Sequence, residues 1–292
     1  MPFFSIITPV YNRAKLLPET INTVLNQEFT DFEYILVDDK STDSSLQVLK
    51  EYAAKDPRIK IVSLEENQGR CIARNKGAEA ASANWICYLD SDDFYFSNHL
   101  STLKKMIEEN PDFKAFATEQ TWDKQPKKYN KKRFYKDKVV FQFEDFIDAN
   151  PISPNQLCYH KSVGVHWVNE RLPISEDWLF HRQLALKTPI LKYNILTTDV
   201  RIHDQRSLDT ASTDTFVQWN MHATKRFIEL EPNLPVKYKN TIESFINLLV
   251  ANIYLSQKRK KDAMKYFVES LSYLQSYKNP LLYKAIIKFL KP

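Results

Sequence analysis

Three acids fall within four residues at Asp90-Ser91-Asp92-Asp93, directly after the apolar, aromatic run Trp85-Ile86-Cys87-Tyr88-Leu89. Carboxylates this close repel one another, and a divalent cation turns that repulsion into attraction. Hard cations take oxygen ligands and often share them with substrate phosphates. The cluster therefore reads as a seat for Mg²⁺ or Mn²⁺ carrying a diphosphate. A polar loop closing a strand is the plain alternative. Asp38-Asp39 and Glu176-Asp177 are two further acidic pairs. Thr8-Pro9 and Tyr11 set an aromatic face beside a hydroxyl, a combination suited to a planar ring.

These groups need elements to hold them. Phe3 to Val10, Phe32 to Val37, Ile59 to Leu64 and Trp85 to Leu89 read as strands. Between them, Leu17, Ile21, Val24 and Leu25 recur at helical spacing, as do Leu46, Leu49 and Tyr52. Ser41, Thr42 and Asp43 offer N-caps to the second of these helices. A third helix follows Gly69 with Ile72, Ala73, Ala78 and Ala80. A fourth carries Leu100, Leu103 and Ile107, ahead of a strand at Phe113 to Ala117. Alternating strands and helices predict an α/β fold, a mainly parallel sheet with helices on both faces. Ligands of such sheets bind beyond the carboxyl ends of the strands. Thr8-Pro9-Tyr11, Asp38-Asp39 and Asp90 to Asp93 all stand at such ends.

The pattern then breaks. Residues 124–138 are Lys-rich with Tyr129, Phe134 and Tyr135 interspersed. They read as a solvated loop, or as a flap over an anion or a patch facing anionic lipid. Gln156 to His160 reads as a strand, Glu176-Asp177-Trp178 opens a short helix, and Ile190 to Ile202 is extended and ends at His203. From about Thr215 the chain is helical. Ala251, Tyr254, Ala263, Tyr266, Phe267 and Leu271 resemble one two-helix repeat unit of the tetratricopeptide kind. Leu281 to Lys291 is apolar with interspersed Lys, fit to lie on a membrane surface or to pack on the rest of the protein. The divisions expected are 1–118, 119–214 and 215–292.

The 292 residues allow one large domain with appendages or two domains, and the net charge of +5 suits an anionic substrate or membrane surface. Nucleic acid is not an expected partner, since no helix-turn-helix, zinc-finger or RNA-binding signature occurs. Cys71, Cys87 and Cys158 lack metal-site spacing and read as buried thiols of a reducing cytosol. Phe3-Phe4-Ser5-Ile6-Ile7 is too short for the core of a secretion signal, and no apolar run reaches bilayer length. Only three glycines occur, Gly69, Gly77 and Gly164, which excludes a dinucleotide-binding glycine motif and a Walker loop. A phosphate must be held another way.

The segments Ser5-Ile6-Ile7-Thr8-Pro9-Val10-Tyr11-Asn12-Arg13, Val37-Asp38-Asp39-Lys40-Ser41-Thr42-Asp43, Asn67-Gln68-Gly69-Arg70 with Ala73-Arg74-Asn75, Leu89 to Asp93 and Glu176-Asp177-Trp178 follow in order. Together they resemble the family 2 inverting glycosyltransferases of GT-A fold, over roughly residues 3 to 205. Lys40 departs from the pattern, which has Gly there for a turn. The resemblance implies that Thr8, Pro9 and Tyr11 wall the nucleotide base, that Asp39 accepts its ring N–H and that Asp38 assists. Arg13, Gly69, Arg70 and Ser91 join this nucleotide-sugar site. Arg74 faces the diphosphate or locks the acid loop through an ion pair, and Asn75 holds a loop. Asp90 binds ribose and Asp92 the metal. Asp93 is a second ligand or a cap for the helix near Asn98. His203 completes the metal or diphosphate site, with Arg206 beside the diphosphate. Asp177 is the general base and Glu176 its neighbour at the acceptor or diphosphate, while Trp178 lines the acceptor pocket or packs in the core.

The activity so implied is metal-dependent transfer, with inversion, from a nucleoside diphosphate sugar, commonly a UDP-sugar, to a hydroxyl of a glycan or lipid-linked acceptor. Polysaccharide assembly at the cytoplasmic face of the cell membrane, with peripheral membrane contact, is the expected setting. Competing readings are a non-catalytic nucleotide-sugar-binding scaffold and a sugar nucleotidyltransferase. The latter usually needs a glycine-rich loop near the first strand, where this chain has none.

Overall fold

The structure is a computed structural model that describes residues 1–123, 125–126, 137–203, 212–273 and 280–290. The expected α/β sheet is what the chain forms. Its strands are β1 (Phe4–Val10), β2 (Phe32–Asp38), β3 (Ile59–Ser63), β4 (Trp85–Tyr88), β5 (Phe94–Tyr95), β6 (Ala115–Trp122), β7 (Gln125–Pro126), β8 (Lys138–Phe141), β9 (Leu157–His160) and β10 (Ile190–Val200). The order across the sheet is β3-β2-β1-β4-β9-β6-β10-β5, with β7 on β6 and β8 on β10. β3, β2, β1 and β4 run parallel; β9 runs antiparallel to both β4 and β6.

β1 and β2 are buried along their whole length, because helices cover both faces. Adjacent residues therefore enter different cores. Ile7 and Ile35 face one core with Tyr88, Trp167 and Phe180. Ile6 and Tyr34 face the other, with Ile21 of α1 (Leu17–Leu25) and Leu103 of α4 (His99–Glu109). Helices α2 (Ser45–Ala53) and α3 (Arg70–Ala80) complete the parallel half. From β1 the chain builds outward through β2 to β3, then crosses back to place β4 on the other side of β1. That reversal opens a crevice at the carboxyl ends of β1 and β4, where such sheets bind ligands.

α3 presses unusually close to β1. A Cβ added at Gly77 would stand 2.3 Å from Ile7 Cγ2, with Val37 Cγ2 at 3.2 Å. Both neighbours are fully buried β-branched residues with little room to turn. Gly77→Ala is expected to destabilise the protein by about 1–3 kcal/mol. Denaturant unfolding of the full chain checks this; an unchanged midpoint counts against the close approach.

α5 (Glu176–Lys187) leads into β10, and the helical tail follows as α6 (Thr213–Leu230), α7 (Val236–Ser256), α8 (Lys260–Leu271) and α9 (Pro280–Leu290). Ala223 and Phe227 of α6 enter the sheet's core. The last helices share a small core of their own, in which Tyr254 stacks on Tyr266 at 5.8 Å and Ala263 and Ala285 are fully buried. α9 thus packs on its neighbours through one face, while Tyr283, Ile286 and Ile287 stay exposed. Among the described residues no helix is long and apolar enough to cross a membrane. Most of the Lys-rich stretch 124–138 lies outside the described residues.

Candidate active site

The loops after β1 and β2 are stitched together. Asn12, at φ +52°, turns its side-chain oxygen to the backbone N–H groups of Thr42 and Asp43, at 2.8 and 3.3 Å. Lys40 stands where a left-handed turn is needed and takes φ +59°, a conformation that suits Gly better. This pinned pair of loops presents Pro9, Tyr11 and Asp39 to one cleft of about 530 Å³. Asp39 is buried, and its two carboxylate oxygens accept the N–H groups of Gln68 and Gly69, each at 2.8 Å. Burial raises its pKa, against those two hydrogen bonds. Gly69 needs its φ of +91°, and a Cβ there would meet Arg171 Cγ at 3.0 Å.

The acid cluster lines the same cleft, and its carboxylates have separate partners. Asp90 accepts from Arg74 Nη2 at 2.7 Å. Asp92 Oδ2 takes Arg13 Nε at 3.3 Å and faces His203 Nε2 at 3.0 Å. Asp93 turns away into the protein. Its oxygens accept from Asn155 Nδ2 at 2.6 Å and from the Arg201 backbone N–H at 2.9 Å. Burial, then the charges of Asp92 and Asp90, hold its pKa well above the usual carboxylate range.

Arg74 is the central cation. It is fully buried, bonds Asp90 on one side, and reaches Glu176 Oε1 at 3.4 Å on the other. Its guanidinium lies 4.2 Å from the centre of the Trp167 ring, and that ring stacks on Phe180 at 4.2 Å. Burial works against its charge; Asp90 and Glu176 more than offset that and raise its pKa. Of the two roles open to Arg74, the ion pair is the one formed. Asn75 does hold a loop: its amide exchanges two 2.9 Å hydrogen bonds with the Trp167 backbone. Arg70 also pairs with Glu176, at 3.5 Å.

Asp177 begins α5 and lines the same cleft. Its Oδ1 accepts the Trp178 N–H at 2.8 Å and its Oδ2 accepts Asn150 Nδ2 at 2.9 Å. Burial and the neighbouring Glu176 push its pKa up to about 6. A carboxylate so poised is ionised at neutral pH yet basic enough to accept a proton.

The cleft thus gathers Pro9, Tyr11, Arg13, Asp39, Gly69, Arg70, Arg74, all four residues from Asp90 to Asp93, Glu176, Asp177 and His203. Three expected residues do not reach it. Thr8 is fully buried with its hydroxyl 3.0 Å from Tyr34 Oη, so it is core. Asp38 turns its carboxylate to the Ser41 N–H at 3.3 and 3.4 Å, a local turn contact. Trp178 donates its indole N–H to the Phe146 carbonyl at 2.6 Å and packs on Phe245 and Arg182. It takes the packing alternative, because α5 points that side of its first turn toward the tail helices. Arg206 lies outside the described residues.

Other lining residues were not foreseen: Gln120, Trp122, Asn150, Asn155, Arg171 and Arg201. Asn155 is the most consequential, since its side-chain oxygen also accepts the Asp90 N–H at 2.9 Å. Its position between Pro154 and a strand was the one available signal.

Among the described residues no three His, Cys, Asp or Glu side chains stand close enough to hold a metal ion by themselves. Asp92 and His203, adjacent and facing one cleft, suit a cation that draws its remaining ligands from a diphosphate and water.

A sequence profile of glycosyl transferase family 2 matches residues 5–162. The putative teichuronic acid biosynthesis glycosyltransferase TuaG of Bacillus subtilis is 45% identical over 92 residues, 32% of this chain and 36% of its own length. The putative glycosyltransferase EpsH of Bacillus subtilis is 24% identical over 283 residues, covering 91% of this chain and 80% of EpsH. The first of these matches thus spans little more than a third of the relative. In three dimensions, the S. aureus TarS 1–349 structure in complex with UDP-GlcNAc superposes with TM-score 0.71 at 21% identity, covering 98% of this chain and 88% of that one. A mannosyltransferase from Pyrobaculum calidifontis, in complex with GDP-Man and Mn²⁺, gives TM-score 0.59 at 14% identity, covering 100% and 81%. At these identities the likeness is one of fold.

Proposed function

The chain belongs to glycosyl transferase family 2, and from that premise we propose that it transfers a sugar, with inversion, from a nucleoside diphosphate sugar to a hydroxyl of a glycan or lipid-linked acceptor. The observation that carries this reading is the convergence of Asp39, Asp90, Asp92 and Asp177, from the ends of β2 and β4 and the start of α5, on one cleft. Residues 1–118 bind the donor, 119–214 the acceptor, and 215–292 extend the fold. The base lies against Tyr11 and Pro9 near Asp39, and Asp90 meets the ribose. The TarS complex with UDP-GlcNAc supports a uridine donor.

Asp177 takes the proton of the acceptor hydroxyl as its oxygen attacks the anomeric carbon. The bond from that carbon to the diphosphate oxygen breaks, and its electron pair leaves with the diphosphate on the opposite face. Inversion follows from this single backside displacement. Asp92 and His203 are the residues that would hold Mn²⁺ or Mg²⁺. When bound, the cation neutralises the charge developing on the leaving diphosphate. Asp93 holds the loop rather than the ion, since both its oxygens are engaged by Asn155 and Arg201. The exposed residues of α9 and the lysines around them provide peripheral contact with the cytoplasmic face of the membrane.

Two protein ligands make the cation a partner of the nucleotide. Calorimetry is expected to show no strong binding of Mn²⁺ alone, and UDP binding strengthened about tenfold or more by Mn²⁺, a gain of about 1.4 kcal/mol. Equal UDP affinity with and without Mn²⁺ would sink the metal assignment.

A further inference from the structure

Asp177 does not stand alone on its helix. Asn150 Nδ2 donates to its Oδ2 at 2.9 Å, and Asn150 Oδ1 lies 2.8 Å from His181 Nδ1. The direction of this chain follows from chemistry. An ionised carboxylate only accepts, so the amide nitrogen must face Asp177 and the amide oxygen His181. That oxygen also only accepts, so the ring proton of His181 sits on Nδ1.

His181 is fully buried, with Phe146 and Phe180 each at 6.1 Å between ring centres. Its Nε2 is buried and meets no hydrogen-bond partner among the described residues. A second proton there would be a buried, unpaired charge, which is strongly disfavoured. Burial, reinforced by the charge of Arg74, pushes its pKa down to about 3. The ring is therefore a neutral donor in one tautomer throughout the physiological range.

We infer that Asn150 and His181 are positioning residues for the transfer, a neutral relay that fixes the carboxylate of Asp177 toward the incoming hydroxyl. This rests on Asp177 as the general base. Two donors, the Trp178 N–H and the Asn150 amide, together set the carboxylate plane. His181 in turn prevents the Asn150 amide from rotating, because a reversed amide would set oxygen against carboxylate and N–H against N–H. The charged groups that act on Asp177 are Glu176, Arg74 and Asp90. Replacing Asn150 or His181 alters none of them.

The test uses the full chain and nucleotide-sugar hydrolysis with Mn²⁺, water standing in for the acceptor, on the donor selected by a screen of UDP- and GDP-sugars. Asn150→Ala and His181→Phe are expected to lower kcat by about 10- to 100-fold, with KM for the nucleotide sugar within about twofold. Losing a donor to the charged form should move the acid limb of the pH–rate profile upward by about half a unit. His181→Asn, whose Nδ2 stands where Nδ1 stood, should recover most of the rate lost in His181→Phe. Independently of turnover, ¹⁵N NMR of the imidazole should show a neutral Nδ1–H ring from pH 5 to pH 8. A ring protonated on Nε2, or an Asn150→Ala enzyme with wild-type kcat and acid limb, overturns the relay. Asp177→Asn separates the two ideas: inactivity there with a wild-type Asn150→Ala rejects the relay alone, while an active Asp177→Asn rejects the base itself.

Discussion

Asp177→Asn should lower kcat by about 10²- to 10⁴-fold, the contribution of a positioned general base, and leave nucleotide binding intact. The side chain keeps its size but has a single acceptor oxygen, so with the capacity to take a proton goes one of the two hydrogen bonds from the Trp178 N–H and the Asn150 amide. The same carboxylate governs the acid side of the pH profile. Because burial and Glu176 push its pKa up to about 6, kcat/KM in the wild type should fall tenfold per unit below that pH. The stability effect has the opposite sense. A carboxylate whose pKa is higher folded than unfolded binds more protons in the native state, so stability declines as pH rises from the ordinary carboxylate range through about 6. The Asn variant removes that decline, so its melting temperature should fall less than the wild type's between pH 5 and pH 8. Scanning calorimetry at pH 5 and pH 8 with steady-state kinetics measures both; an active variant, or one whose melting temperature falls as much as the wild type's over that range, contradicts the assignment.

Arg74→Met should destabilise the fold by about 3–5 kcal/mol, the usual consequence of removing one partner from a buried ion pair. Met fills much of the volume, so the loss is electrostatic. Glu176 would remain buried without the cation that bridges it to Asp90, and the Trp167 ring would lose the guanidinium over its face. Arg74→Lys is expected to fall short of rescue, because an ammonium cannot span both carboxylates with a planar fork. Urea titration followed by tryptophan fluorescence reads the loss directly. A change under about 1 kcal/mol would show that solvent or Arg70 supplies the missing charge.

The sequence made the parallel half of this protein legible for a physical reason. Phe4–Val10 and Phe32–Asp38 are largely apolar and buried from end to end because helices cover both their faces, and each is followed by polar residues that line the cleft. Asp39, Asp90, Asp92 and Asp177 stand out in the sequence because they fall at the ends of predicted elements, and the structure brings all four to one cleft. Thr8 misled because β1 remains buried through that residue, so its hydroxyl meets Tyr34 instead of the cleft. Trp178 has two readings in the sequence because helix periodicity gives the face of a residue only when the flanking packing is known, and that packing comes from Phe245 on α7. Asn150, Asn155 and Arg201 were not readable. They act from irregular segments or through backbone atoms, and no periodicity marks an amide that bonds a carboxylate far away in the chain.

Asp93 shows what that distance entails. Its two oxygens are satisfied by Asn155, 62 residues later, and by Arg201, 108 residues later. Closing loops of that length costs more entropy than forming the local helices. The acid loop is thus held by chain that follows it, and the candidate site depends on the end of β10 although Asp90 to Asp93 themselves stand at the end of β4.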